Sequence, residues 1–571
     1  MSDYVLPVTL HGQKLHLPGS KPKSIKDFIE ALPGVRWWPN KQIHSCDATP
    51  GTAWNILSNA PCAVSADEET TQLAHRFLRR YETFKDTGEQ PPIRVLDSWE
   101  HQRQAYWFAY HRDSALFNMW MGTGKSKPTV ELAVNKKCNR VLILCPTAVL
   151  GVWRREFNEW GVPDSCRVLV LENQSWSSKR KAKEAGQFLK QCEGNGKCAI
   201  VVINYESAWR DAFESWSLKV PWDMAACDES HKIANHSANV TKYTARLGMV
   251  AKFRLCLSGT PLSKDPLSVF GQFKFLDRGV FGTSWTRFRD RYGIKGDFGD
   301  NHIVGYKNTD ELSDLVGLLT FTVGQEALDL PDVLDIPREV IFEDSAKKLY
   351  DEFEEACVAD FGGEVGTLTA DNVLVKMLRL QQMTSGMVPL DPEYDLDFNG
   401  EFQPQPQQWV YVSDAKKKAL FELLTDLPED EPVVVFCKFR QDLEAIRDVA
   451  AMLGRRYGEI SGDQKDLTPE ARMPEGIDLM GVQIQSGGVG IDLTRACYAV
   501  YYSVGYSLSD FQQSLARIHR PGQKRACRNY YLTVRGTIDE VVYRTLTRRQ
   551  EVNEGVIDYL KQKQQAILQA S

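Results

Sequence analysis

Apolar positions change texture along this chain. From about Ile93, short apolar runs alternate with amphipathic stretches: "VLILC", "AIVVI" and "RLCLS". Such runs, bounded by turn residues and separated by helical periodicity, predict parallel strands covered by helices. Over 275–410 the alternation lapses, and aromatic and charged residues accompany helical stretches such as "SAKKLYDEFEEACVADF". It resumes with "PVVVF", "YGEIS", "MGVQIQ", "AVYYS" and "NYYLTV". After "PVVVF", Phe439, Leu443, Ile446, Val449 and Leu453 recur at helical spacing. The low-complexity piece "FQPQPQQ" at 402–408 reads as a connector. Thr537 and Glu540 form a T-x-x-E signature, which predicts a capping box before a helical tail. Residues 1–90 differ again: tryptophan and proline punctuate them, as in "LPGVRWWPNKQ", before "HRFLRRYETFKDTGEQPP" suggests a helix entering a linker.

Size and composition support several globular units. A chain of 571 residues exceeds one core, and about three or four domains are expected. At 43% hydrophobic and 25% charged residues, the balance is that of a soluble globular protein. No uncharged apolar run approaches the roughly 18–20 residues of a membrane span, and the first twenty residues lack the plan of a secretory leader. The thirteen cysteines are odd in number and show no C-x-x-C, which predicts buried free thiols in a reducing compartment. The histidines show no spacing with them that suits zinc. Net charge is −6, yet charge is unevenly spread: Phe511–Arg549 holds nine Lys/Arg against two acids, and Asp391–Glu401 holds five acids and no base. That pattern fits two solvated faces of opposite sign, or a local basic surface for phosphates.

Four short stretches carry candidate chemistry. In "NMWMGTGKSKP", Gly122, Thr123, Gly124, Lys125 and Ser126 end like a phosphate-binding loop, although Met119 stands where the general pattern has its first glycine. Glycines let backbone amides face a phosphate, the following helix adds its positive end, Lys125 reaches the outer phosphates, and Ser126 offers a hydroxyl to Mg²⁺. Pro128 in the first helical turn has no hydrogen bond to lose. The alternative is a glycine turn beside a lysine. In "PWDMAACDESHKIAN", an apolar run ends at Asp228-Glu229, which can supply one carboxylate for Mg²⁺ and one for the attacking water, or can merely cap a helix. "FRLCLSGTPL" places Ser258, Gly259 and Thr260 in a polar turn after a strand. In "DFQQSLARIHRPGQKR", Arg517 and Arg520 lie three apart on an expected helix, hence on one face. They are either a basic surface or groups that stabilise a transferring phosphoryl.

In this order, "MGTGKS", "DESH", "LSGTPL" and "QSLARIHRPGQ" resemble the motifs of superfamily-two motors, and most of all the Swi/Snf-like group. "WEHQRQAYWF", "LILCPTAVLGVWRREF", "VVINYES", "FKFLDRGVFGTSWTRFRDRYG", "LRLQQMTSG", "SDAKKKALFELL", "VVVFCKFR" and "QIQSGGVGIDLTRA" extend the resemblance over roughly residues 93–549. The group's loop is written M-G-x-G-K-[ST], so Met121 to Ser126 match. Asn118, Met119 and Trp120 replace its usual A-D-E, Ser230 replaces the commoner Ala or Gly, Asp492 stands where Asn is frequent, and "FTVGQEALDLP" lacks the usual basic residues.

The resemblance implies an α/β fold: two RecA-like parallel-sheet domains in tandem, a helical insertion and a small N-terminal α+β domain. Expected boundaries are 1–90 for an accessory domain, 91–275 for the ATP-binding motor domain, 276–410 for insertion and linker, 411–545 for the second motor domain, and 546–571 for a tail. It implies ATP and Mg²⁺, held by Gln102, Met121, Gly122, Thr123, Gly124, Lys125, Ser126, Gly490 and Asp492, with Ser126 and Asp228 on the metal. Lys125, Asp228, Glu229, Arg517 and Arg520 carry the chemistry, the arginines completing the site when the two domains close on ATP. His231, Ser258, Gly259 and Thr260 relay the nucleotide state. Thr147, Trp153, Arg154, Tyr205, Lys438, Ser486, Gly487 and Gly488 lie along a nucleic-acid backbone.

The expected partner is duplex or branched DNA, with no membrane and a monomeric motor. Strand separation on DNA or RNA, and a subunit that uses ATP only as a switch, are the alternatives. "FIEALPGVRWWPNKQIH" faintly resembles the DNA-structure-binding domain of annealing-type relatives, where Trp37 and Trp38 with Arg36 and Lys41 could grip bases; the alternative is that both indoles are buried. The compact length suggests a bacterial or viral enzyme, hence the cytoplasm of a bacterium or phage-infected host, in replication, recombination or repair.

Overall fold

The computed structural model describes residues 4–19, 22–78, 98–160, 166–173, 175–259, 266–295, 303–362, 370–389, 394–396, 402–404, 408–468, 471–486 and 491–546. Thr260, Gly487, Gly488, Gly490, the acidic stretch 391–401, most of "FQPQPQQ" and the tail from 547 fall partly or wholly outside them. Two compact units emerge, Met1–Ala327 and Leu328–Val552.

In the first unit, a five-stranded sheet opens the chain. Its spatial order is Arg36–Trp38, Ile43–Asp47, Lys14–Pro18, Val5–His11 and Ala63–Ala66. All pairs are antiparallel except the last, which is parallel. Alternation decides its faces: Leu6, Val8, Leu15, Leu17 and Cys46 are buried beneath the helices Lys23–Glu30, Pro50–Asn59 and Glu68–Leu78, while Val5, Pro7, Thr9 and His11 point to solvent.

This small domain is fastened to the rest of its unit at one carboxylate. Asp277, between helices Val269–Leu276 and Arg278–Phe281, is 4% exposed. It accepts the Thr49 hydroxyl at 2.6 Å, the Gly51 N–H at 2.7 Å and the Gly279 N–H at 2.8 Å. Thr49 and Gly51 begin helix Pro50–Asn59, so the carboxylate also meets that helix's positive end. Arg278 pairs with Asp47. Side chains are impossible here: a Cβ on Gly279 would stand 2.1 Å from the Thr52 nitrogen.

The same unit holds a seven-stranded, wholly parallel sheet. Its order is Thr320–Val323, Ser114–Met119, Phe253–Ser258, Met224–Asp228, Arg140–Cys145, Cys198–Asn204 and Cys166–Val170. The central strands are buried almost along their whole length and mostly apolar because helices cover both faces. The second unit is built around a six-stranded parallel sheet, ordered Val333–Val340, Cys527–Val534, Tyr498–Tyr501, Val433–Cys437, Leu479–Gln483 and Tyr457–Ile460. Helices Asp344–Gly362 and Ala370–Thr384 form its helical insertion.

The architecture is thus the expected one, two parallel-sheet domains and a small α+β domain. Two strands, Thr320–Val323 and Val333–Val340, lie within the span assigned from sequence to insertion and linker, and each extends a motor sheet. The expected helix after "PVVVF" runs over Arg440–Met452 and buries Leu443, Ile446 and Val449. The capping box at Thr537 is altered: the Thr537 hydroxyl donates to the Val534 carbonyl, and Glu540 accepts the N–H of Gly536 rather than of Thr537. Among the described residues, no helix is long and apolar enough to cross a membrane. The described cysteines are free thiols.

Candidate nucleotide site

In a parallel sheet, ligand-binding loops gather at the C-terminal ends of the strands. Here the turns after Ser114–Met119, Phe253–Ser258, Met224–Asp228, Arg140–Cys145 and Cys198–Asn204 carry the expected motifs on five adjacent strands. In sequence Met119 and Ser258 are 139 positions apart, and the sheet brings these turns to one edge.

The glycine loop adopts the path its composition suggested. Gly122 and Gly124 have φ of +85° and +71°, values open to glycine and costly for other residues. Helix Ser126–Asn135 follows, with Pro128 in its first turn as expected. The Lys125 ammonium donates to the Met119 carbonyl at 3.0 Å. Gln102 braces the loop: its Nε2 donates to the carbonyls of Thr123 at 3.0 Å and Gly124 at 3.3 Å, while its Oε1 accepts the Trp99 N–H. His101, which sequence reasoning missed, reaches the same Thr123 carbonyl with Nε2 at 2.9 Å. A carbonyl only accepts, so that nitrogen carries the proton. A Cβ on Gly124 would stand 2.3 Å from Gln102 Nε2, which rules out a larger residue without rearrangement.

The departure from A-D-E before the loop has a structural account. Asn118 and Met119 end a strand and are 2% and 0% exposed. The Asn118 amide faces the Thr322 hydroxyl at 3.5 Å, and the Trp120 N–H donates to Val323. This segment is stitched to the edge strand Thr320–Val323.

Asp228 and Glu229 are 8% and 5% exposed. Each oxygen of Asp228 has a donor: the Trp153 indole N–H at 3.0 Å and the Glu229 N–H at 2.9 Å. Burial, then the neighbouring Glu229 charge, raise its carboxyl to about 7, against the pull of Lys125 and the two donors. Glu229 is held at φ +49°, a strained conformation of the kind concentrated at functional sites. His231 Nδ1 lies 3.4 Å from its carboxylate, and the Ser230 hydroxyl donates to Gln272 at 2.7 Å. Ser258 is buried, and Gly259 abuts the glycine loop, where a Cβ would meet Met121 at 3.4 Å.

Two residues expected on nucleic acid are turned inward. Trp153 is 1% exposed and spends its N–H on Asp228; Tyr205 is 3% exposed and donates its hydroxyl to the Asp228 carbonyl at 2.7 Å. The apolar helix face of Trp153 and the strand-end position of Tyr205 bury both rings, so neither side chain presents a surface to a polynucleotide. Thr147 and Arg154 are exposed, with Thr147 accepting the Asn204 amide and Arg154 pairing with Glu172.

In the second unit, the expected residues again sit at strand ends. Lys438 follows Val433–Cys437 and donates to Gln381 at 2.5 Å; burial lowers its ammonium to about 8. The Ser486 hydroxyl donates to Gln483, and Asp492 accepts both the N–H and the hydroxyl of Thr494. Arg517 lies on helix Leu508–Ile518 and is 8% exposed. Arg520 does not share its helical face: the helix ends at Ile518, because the residue before Pro521 is driven from helical backbone. Arg520 instead donates to the Ile491 carbonyl at 3.0 Å.

The donor set around the glycine loop (the Ser126 hydroxyl, the buried Asp228 and Glu229 carboxylates, and one ammonium) suits a small hard cation shared with phosphate oxygens. Among the described residues no cluster of three or more acidic, cysteine or histidine side chains forms a self-sufficient metal cage.

Family models match most of the chain. A model described as "SNF2-related domain" matches residues 60–386, and one described as "Helicase conserved C-terminal domain" matches residues 415–522. The DNA repair and recombination protein RDH54 of Saccharomyces cerevisiae (strain JAY291) is 26% identical over 427 residues, covering 71% of this chain and 45% of that protein. The DNA repair and recombination protein RAD54B of Gallus gallus is 22% identical over 529 residues, covering 81% of this chain and 54% of that protein. The chain therefore spans about half the length of these curated relatives. A solved structure titled "Sulfolobus solfataricus SWI2/SNF2 ATPase core in complex with dsDNA" is 18% identical with a TM-score of 0.37, covering 83% of this chain and 96% of that one. The expected setting of a bacterial or phage-infected cytoplasm is overturned: the curated relatives come from yeast, chicken, human and mouse, and length alone was no guide to source.

Proposed function

Because this chain belongs to the SNF2-related family, we propose that it is an ATP-driven motor on duplex or branched DNA that serves recombination or repair. The observation that carries this reading is the buried Asp228–Glu229 pair at a strand end, set beside a glycine loop whose lysine and hydroxyl are in place. A structural acid pair would gain nothing from burial beside its own like charge; a pair awaiting a cation and phosphates is relieved by them.

In this mechanism the loop amides and Lys125 hold the outer phosphates, with Gln102 and His101 fixing the loop's shape. Ser126 and Asp228 hold Mg²⁺, which when bound neutralises charge developing on the phosphates. Glu229 orients the attacking water and takes its proton. Arg517 and Arg520 supply positive charge to the γ-phosphate, an effect worth roughly 10³–10⁵ in rate. Ser258, Thr260 and His231 report the nucleotide state. Thr147, Arg154, Lys438, Ser486, Gly487 and Gly488 grip the sugar-phosphate backbone, which gives affinity without sequence preference and a strong salt dependence.

The accessory domain has a second nucleic-acid surface in this reading. Trp37 and Trp38 are 41% and 48% exposed, contrary to the alternative that both are buried. Trp38 shares a sheet face with Arg36, and Arg36, Thr9 and His11 on that face are exposed. Exposed indoles beside basic groups suit stacking on unpaired bases at a fork or junction.

ATPase rates with single strand, duplex, fork, four-way junction and RNA test the proposal, with Glu229→Gln as the control. Duplex or branched DNA should stimulate turnover most. Equal or greater stimulation by RNA would replace a DNA translocase with an RNA helicase, and turnover unchanged in Lys125→Ala would remove the site assignment.

A further inference from the structure

Trp153 and Tyr205, turned away from the surface, converge on a single residue of the nucleotide site from two separate elements. Trp153 lies on helix Leu150–Trp160, which starts directly after the turn Thr147–Val149. Tyr205 follows strand Cys198–Asn204, which borders Arg140–Cys145, and that strand in turn borders Met224–Asp228. The Tyr205 hydroxyl therefore reaches past one strand end to donate to the Asp228 carbonyl at 2.7 Å. The Trp153 indole N–H donates to Asp228 Oδ2 at 3.0 Å.

The two bonds fix different things. A carboxylate has lone pairs to spare after accepting one hydrogen bond at each oxygen. Asp228 accepts Trp153 at Oδ2 and the Glu229 N–H at Oδ1, so its orientation is set while lone pairs remain for a cation. The Asp228 carbonyl and the Glu229 N–H belong to one planar peptide. Tyr205 holds its oxygen, and the Asp228 carboxylate holds its N–H. From that fixed plane Glu229 departs at φ +49°, and a strained residue persists only where its surroundings over-determine it. Trp153 thus aims the metal-binding carboxylate, and Tyr205 keeps the water-orienting one in its strained place.

Both side chains also lead back to one exposed turn. Thr147 and Ala148 are open to solvent. Next to Tyr205, the Asn204 amide donates to the Thr147 hydroxyl at 3.2 Å and to Glu206 at 2.9 Å. The helix that leaves the turn is anchored in the core by Leu150, Trp153 and Phe157. We propose that Trp153 and Tyr205 are positioning residues for Asp228 and Glu229, and that they tie this acid pair to the Thr147 turn, so that a polynucleotide backbone seated there tightens the metal site. This inference rests on the assignment of the acid pair to an ATP site and of Thr147 to nucleic acid.

The test is binding of a fluorescent ATP analogue to the full chain as Mg²⁺ is titrated, with and without saturating duplex DNA, and with EDTA as the metal-free arm. Trp153→Phe removes the N–H and keeps a ring. It should raise the Mg²⁺ concentration for half-maximal binding about tenfold, while affinity in EDTA stays within about twofold of wild type. Tyr205→Phe removes one hydroxyl and decides the question if Trp153→Phe does not fold. It should lower kcat about tenfold with KM for ATP within about twofold, since Glu229 acts on the water and not on bound ATP. Duplex DNA should lower the wild-type Mg²⁺ midpoint about fivefold, and by less in both variants. Affinity for the DNA itself should not change, because neither ring reaches the surface. Weakened DNA binding with an unmoved Mg²⁺ midpoint and kcat would return both residues to nucleic-acid contacts and overturn the proposal, as would a wild-type midpoint indifferent to DNA. Failure of the underlying assignment looks different: wild type itself would show no magnesium dependence, or Lys125→Ala would bind as tightly as wild type.

Discussion

Two buried aspartates, one near the strand ends of each unit, hold their protons more tightly than usual for different reasons. Asp228 is raised to about 7 by burial beside another carboxylate, with one lysine and two donors opposing. Asp442, on helix Arg440–Met452, is raised to about 6 by burial alone, and everything else near it stabilises the anion: the Ser503 hydroxyl, Lys416 and the Phe439 N–H. The first setting is frustrated until positive charge arrives; the second is a completed cap that fixes a helix start to the neighbouring strand end. Perturbed acidity therefore identifies neither as functional. The like-charge neighbour does.

The sharpest break of this comparison is kinetic. Asp228→Asn and Glu229→Gln should each lower DNA-stimulated kcat by about a hundredfold to a thousandfold, in the range seen when an aligned charge-stabilising group is lost. Asp442→Asn should leave kcat within about threefold, since it touches no phosphate in this scheme and keeps the cap's shape. Steady-state turnover of the three variants decides it, and an Asp442→Asn enzyme as impaired as Glu229→Gln would erase the distinction.

Asp277 extends the contrast to a purely mechanical carboxylate. It accepts the Thr49 hydroxyl and the Gly51 N–H across the junction between accessory domain and motor sheet, and the Gly279 N–H from its own side. Asp277→Ala leaves those donors buried without an acceptor, at a cost of about 3 kcal/mol. Thermal melting should fall, and residues 1–78 should become sensitive to protease while Mg²⁺-dependent nucleotide binding survives. Loss of binding together with the junction would mean that the accessory domain shapes the nucleotide site.

Asp442 also makes a pH prediction with a definite sign. Its carboxyl binds a proton more tightly in the folded chain, about 6 against 3.8, so folding favours the protonated form. Its contribution is fully present below about pH 4 and is lost as pH rises to about 6, amounting to at most about 3 kcal/mol. Wild type minus Asp442→Asn, in urea midpoints across that window, should show this loss with rising pH; a flat difference would mean that Lys416 and Ser503 fully offset burial.

Much of this was legible in the sequence because the relevant signals are local. Apolar runs of five or six residues gave the central strands, and glycine spacing gave the loop. The failures concern facing. An aromatic residue near a motif looks the same in sequence whether it meets a nucleic acid or the protein's own interior: Trp153 meets the Asp228 carboxylate and Tyr205 the Asp228 backbone carbonyl. Arg520 was placed on a helix although Pro521 argued for its end. Thr320–Val323 is a four-residue strand continuing the apolar run from Leu315, too short to stand out, yet it braces the segment that departs from the family pattern.

The smallest expected effect concerns the open sheet face. Trp38 is 48% exposed and its indole N–H lies 2.9 Å from the Ser45 hydroxyl, which holds the ring against the sheet. Because about half of the residue is already in water, Trp38→Ala should cost little stability. If the face stacks on bases, the same change should remove about 1–2 kcal/mol of affinity for single-stranded or forked DNA, roughly a tenfold rise in Kd. Blunt duplex should be affected less, since its bases are already stacked on one another. Trp37 supplies the internal control: its ring lies 4.6 Å from buried His44, so Trp37→Ala should lower the melting temperature more than Trp38→Ala does. Equal affinities of wild type and Trp38→Ala for forked DNA, at matched salt, would leave the face without a role in binding, and the contrast between two buried acids would then be confined to the motor sheets.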